Sequence, residues 1–94
     1  MVAMPLSKEE EIFVDASKKL AELAKPFGEF MARDIGKRNA EGFRLNAYFF
    51  YRFVGRAETL CSLLSEKRDR EKCLLPANKV EEETFEKLRE LLSK

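Results

Sequence analysis

The 94-residue chain contains no histidine and no tryptophan. It also lacks glutamine, and it has only four glycines, three prolines and two cysteines. Each absence removes a class of chemistry. Without histidine, a Ser-His or Cys-His nucleophile pair cannot form within the chain, and neither can the histidine-containing zinc and di-iron sites of helical proteins. Two cysteines twelve positions apart, Cys61 and Cys73, are not a zinc ligand set and are too few for a secreted disulfide framework. No strand-like alternation of apolar and polar residues occurs, and no apolar run is long enough to cross a bilayer. Gly36-Lys37 lacks the earlier glycine of a phosphate loop, since Met31 stands in its place. We therefore read the chain as non-enzymatic, with no cofactor and no metal. A carboxylate-held divalent metal at Glu9–Glu11 or Glu81–Glu83 is the weakest alternative, because consecutive helical residues splay around the axis rather than converge.

What the chain has is charge and apolar periodicity. Charged residues make up 37% of it and asparagine occurs only three times, a balance typical of heat-adapted proteins. The net charge is only +1. It is unevenly spread, however: Arg33, Lys37, Arg38, Arg44, Arg52 and Arg56 stand against Asp34 and Glu41 between positions 33 and 56. Lys8 to Glu11 are all charged, and no secretory leader precedes them in the sequence given, so the expected location is cytoplasmic, away from membranes.

Phe43, Ala47, Phe50, Val54, Ala57, Cys61 and Leu64 recur at alternating spacings of four and three, the signature of a long helix laying an apolar seam against other helices. Ser7 and Glu10 form a capping box ahead of a first helix over 8–36. Pro26 predicts a kink within that helix, since the apolar phase of Ile12 to Ile35 survives it. Asn39 is the expected N-cap of a second helix over 40–66. Asn78 with Glu81 suggests a second capping box for a shorter C-terminal helix over 78–93, after a connector at Cys73–Pro76. The expected fold is all-α and a single domain: a long, kinked antiparallel hairpin plus a shorter third helix, packed as a bundle.

Three groups of residues stand out. The apolar arc of the second helix is wider than one neighbour covers, which singles out Phe49, Phe53, Leu60 and Leu63 as a candidate oligomer interface and makes a homo-oligomer, dimer or higher, the expected assembly. Arg44, Tyr48, Arg52 and Arg56 follow at i, i+4 spacing, a guanidinium and phenol stripe suited to phosphate contact and base stacking, so a nucleic-acid accessory role is the alternative function. Such residues are also enriched at protein interfaces. Finally, Asp34 and Asn46 fall inside apolar stripes, and Arg44 lies within reach across the turn, forming a candidate buried polar set that fixes the hairpin. The ordinary reading of Cys61 and Cys73 is a pair of free thiols. On one unbroken helix they would stand about 18 Å apart, so a bridge requires the chain to reverse between them, and Glu66 to Lys72 is where the apolar period breaks.

Overall fold

In the computed structural model, which describes residues 5–93, the chain folds as three helices packed together: α1 (Lys8–Gly36), α2 (Ala40–Ser62) and α3 (Lys67–Leu92). No strand occurs among the described residues. Residues 1–4 and 94 lie outside the described ones. The bundle is elongated, 52 × 21 × 14 Å, as the length of α1 dictates. α2 runs antiparallel to α1, with Ser17 opposite Ala57, Phe27 opposite Phe49 and Phe53, and Asp34 opposite Asn46. α3 then returns beside both.

The starts of α1 and α2 follow their caps. The Ser7 hydroxyl accepts from the Glu10 amide at 3.1 Å while the Glu10 carboxylate accepts from the Ser7 amide at 3.2 Å. Asn39 accepts from the Gly42 amide at 3.0 Å. Between the two helices, Gly36 is still helical. The left-handed residue of the turn is Arg38, at φ 56°, a conformation that costs a side-chain-bearing residue about 1 kcal/mol.

The C-terminal half differs from expectation. α2 ends at Ser62 rather than near 66, and α3 begins at Lys67 rather than 78, so that at 26 residues it exceeds the 23 of α2 instead of being the shorter element. The run Glu66–Lys72 opens this helix. Asn78 and Glu81 lie within it, and Cys73–Pro76 is helical rather than a connector. Pro76 is tolerated for the same reason as Pro26 in α1: the carbonyls each proline leaves without a donor belong to exposed Lys72 and Glu22, where water replaces the missing N–H. α3 has no side-chain N-cap. Its entry is fixed instead from its neighbours. Arg70 Nη1 donates to the carbonyls of Leu64 and Ser65 at 2.8 and 2.9 Å, and the Glu10 carboxylate accepts from the amide and hydroxyl of Ser65. Those bonds, the Ser65 amide foremost, hold the Glu10 carboxyl below its ordinary range.

Because the chain reverses at 63–66, Cys61 and Cys73 come within 5.5 Å at their Cα atoms and form a disulfide rather than two free thiols. Closing a loop of 12 residues contributes about 3 kcal/mol in the chain-entropy account. Cys61 is fully enclosed, with the Ser17 hydroxyl 3.1 Å from its sulfur and donating to the Ala57 carbonyl at 3.0 Å.

The core is built largely from small residues. Ser17, Ala21, Ala24 and Gly28 form the buried line of α1, facing Ala57 of α2 and Ala77 of α3. Among the described residues, Phe50, Met31, Leu64 and Val54 are its only fully enclosed large apolar side chains. Gly28 is the tightest point. A Cβ there collides with the Thr84 hydroxyl of α3 and lies 3.1 Å from Thr84 Cγ2 and 3.2 Å from the Phe50 ring. Thr84 cannot rotate clear, since either branch of its Cβ meets the intruding methyl. Gly28→Ala is accordingly expected to destabilise the fold by about 1–2 kcal/mol despite the better helix propensity of alanine. In a Thr84→Ala background it should be neutral or stabilising. Urea denaturation of the two single variants and the double variant measures the coupling, and additive effects contradict the contact.

Candidate interaction face

With α3 lying against one side of the hairpin, the opposite side is the seam between α1 and α2. On α2, Leu45, Phe49, Arg52, Arg56 and Leu63 fall on one line at 100° per residue, away from Val54, which faces the core, and Tyr51, which packs on Phe85 of α3. On α1, Ile12, Leu23 and Phe30 share the matching line. Phe27 fills the crease between the helices. Its ring packs on Phe49 at 5.3 Å and Phe53 at 5.6 Å, and Phe30 meets it edge-on at 6.1 Å.

These rings cover one another incompletely. Phe49, Phe53 and Leu60 are half-buried, whereas Leu63 is 55% exposed, Leu45 58%, Leu23 53% and Ile12 64%. Large apolar side chains thus run along the whole seam, from Ile12 and Leu63 at one end to Phe30 and Leu45 at the other. The four residues singled out as an interface all lie on this side of α2, with Leu63 just past its end. Periodicity alone did not identify their α1 counterparts Leu23, Phe27 and Phe30, because which part of that helix's wide apolar stripe stays open depends on where α3 packs.

The cationic stripe borders and crosses the same face. Arg44, Tyr48, Arg52 and Arg56 are all exposed. Arg52 Nη1 donates to the Tyr48 hydroxyl at 2.9 Å, its guanidinium carbon 5.8 Å from the ring centre, and Tyr48 meets Phe49 edge-on at 5.4 Å. Arg33 lies over Phe30 at 4.9 Å. Neither Arg52 nor Arg56 has an ion-pair partner among the described residues.

The hairpin end carries the polar set. Asp34 is only 2% exposed, and its Oδ2 accepts from Asn46 Nδ2 at 2.7 Å. Its charge partner is the preceding Arg33, 3.4 Å away and half-exposed, rather than Arg44 across the turn. Gly42 completes the arrangement, since a Cβ there comes within 2.8 Å of Asp34 Oδ2 and 2.6 Å of Asn39 Nδ2. With every buried polar side-chain atom among the described residues satisfied, this set orders the turn rather than waiting for a ligand.

One further pair was not legible in the sequence. Glu81 of α3 faces Glu58 of α2, and burial, followed by the hydrogen bond and like charge of Glu58, pushes the Glu81 carboxyl up to about 7. Nearby, burial and then the Glu81 charge raise the Tyr51 hydroxyl above its ordinary range. Among the described residues no three carboxylates or thiols converge on a point suited to a cation, and no helix is long and apolar enough to cross a membrane.

No described protein family, characterised protein or solved structure shows significant similarity to the chain.

The Glu81 carboxyl binds its proton more tightly in the folded chain than at its unfolded value of 4.5, so the fold holds the extra proton between pH 4.5 and about 7. Stability is therefore expected to fall as pH rises through that window and to level off above it. After allowance for partial exposure the loss is about 1 kcal/mol. Thermal denaturation across the window, with Glu81→Gln flattening this part of the slope, measures it; a slope unchanged by the substitution contradicts the pairing.

Proposed function

We propose that the chain is a non-enzymatic helical interaction module that assembles, with copies of itself, through the α1–α2 seam. The observation that carries this reading is the row of large apolar side chains on the side away from α3, interrupted on α2 by Arg52 and Arg56, with Leu23, Leu45 and Leu63 each more than half exposed. A single exposed leucine is ordinary, but an aligned row flanked by arginine and tyrosine has the composition of an interface core and its rim. The small-residue interior supports the same reading, because it leaves the larger apolar residues outside the fold.

A cytoplasmic setting suits the charged, amide-poor sequence. The Cys61–Cys73 bridge then belongs to a cell whose internal proteins keep disulfides, as those of hyperthermophiles do.

Sedimentation velocity at tens of micromolar tests the reading. The wild-type chain is expected at twice the monomer mass or more. Phe53→Glu, which places a charge between the rings of the seam, is expected to return it to monomer while circular dichroism stays helical. A wild-type chain that remains monomeric contradicts the proposal.

A further inference from the structure

The start of α3 is fastened differently from the rest of it. Beyond Pro76, the side chains of Ala77, Val80, Thr84, Phe85 and Leu88 turn into the main core beside Phe50 and the small residues of α1. Over residues 67–75, by contrast, Cys73 alone is buried, and Leu75 is 61% exposed. No side chain caps this end, and Pro76 withholds the amide that the Lys72 carbonyl would otherwise accept from. Arg70 donates only to Leu64 and Ser65 in the adjoining turn, and the Lys67–Glu71 ion pair is exposed at 3.9 Å, so neither ties the segment to α1. Nor does α2 close on it. An open groove of about 600 Å³ separates Gly55, Thr59 and Ser62 from Lys67, Glu71 and Leu74, and a Cβ on Gly55 would meet only open space.

The strongest tie on this segment is therefore the bridge. Cys61, Leu64 and Cys73 form an apolar cluster separate from the main core, with Phe13, Val14 and Leu74 packed around it. Phe13 follows Ile12 and Leu64 follows Leu63, both of which are more than half exposed, so the cluster borders apolar surface that is already open. Cys61 is fully enclosed, whereas Cys73 belongs to the weakly held helix start, which makes Cys73 the sulfur a reductant reaches. A dithiol reductant attacks it as the thiolate. The S–S bond breaks, Cys61 leaves with the electron pair and takes a proton, and the second thiol of the reductant then displaces and reprotonates Cys73 as it closes its own disulfide. The chain gains two electrons and two protons. The Ser17 hydroxyl oxygen, 3.1 Å from the Cys61 sulfur, accepts from the thiol that results.

We infer that the Cys61–Cys73 bridge is a redox-sensitive latch on the start of α3. Reduction releases residues 67–75 as far as the Pro76 hinge and uncovers Phe13, Val14 and Leu64 beside Ile12 and Leu63, while the rest of the bundle stays folded. The latch acts within one chain and is independent of association at the seam. The test compares the wild-type chain with and without millimolar dithiothreitol by mass spectrometry, amide hydrogen exchange and NMR. Two thiols are expected to appear by mass. Amides of residues 67–75 should then exchange at least about tenfold faster, those of residues 77–88 should change by less than about twofold, and the Phe13 ring and Val14 methyl resonances should move. Trypsin is expected to cut the reduced chain first among Lys67, Arg68, Arg70 and Lys72. Cys73→Ala, which cannot form the bridge, should reproduce this pattern without reductant. A bridge that survives the reductant, slow exchange of residues 67–75 once it is broken or absent, or acceleration spread evenly over all three helices overturns the latch.

Discussion

The close approach of α1 to its two neighbours is the constraint on which the rest of the structure depends. Ser17, Ala21, Ala24 and Gly28 present little more than backbone toward Ala57, Phe50 and Thr84. Helices brought together in this way enclose little volume, and Phe50, Met31, Leu64 and Val54 nearly fill it. Of the eight phenylalanines, Phe50 is enclosed and Phe13, Phe43 and Phe85 pack against other edges of the core, while Phe27, Phe30, Phe49 and Phe53 go to the seam, where they shield one another but not fully. At about 25 cal/mol per Å² of apolar surface, covering the exposed leucines and rings remains a substantial unspent driving force for association.

Polar contacts between helices concentrate toward the two ends of the bundle, while along its middle Arg52 and Arg56 interrupt an otherwise apolar seam. At one end Glu10, Ser65 and Arg70 knit the start of α1 to the turn between α2 and α3, and the disulfide fastens that turn from inside. At the other, Asp34 and Asn46 fix the hairpin with Gly42 making room. With both ends fixed in register, the seam between them is a firm surface rather than a yielding one. A surface of that kind associates with little ordering cost. The Glu58–Glu81 pair departs from this pattern, setting two carboxyls together between α2 and α3.

Much of this was written in local sequence. The Ser7–Glu10 box, the Asn39 cap and the alternating spacings of α2 place two helices because each signal acts within one or two turns. Pro76 is a boundary signal only in isolation, since Cys73, Ala77, Val80, Thr84 and Leu88 carry one buried phase through it just as α1 does through Pro26. Asp34 and Asn46 declared themselves as polar residues on apolar stripes. That Arg33 rather than Arg44 meets the carboxylate depends on side-chain direction at the turn, which spacing does not encode. Gly28 against Thr84 and Glu58 against Glu81 depend on the register of α3, which no local pattern carries.

The central claim is that a small-residue core displaces the larger apolar side chains to the α1–α2 seam, where another copy covers them. Methyl and aromatic NMR spectra recorded from micromolar to millimolar concentration test it most directly. Resonances of Leu23, Phe27, Leu45, Phe49, Phe53 and Leu63 are expected to shift or broaden with concentration while those of Val80 and Leu88 on α3 stay fixed. Spectra that do not change with concentration, or changes confined to α3, contradict it.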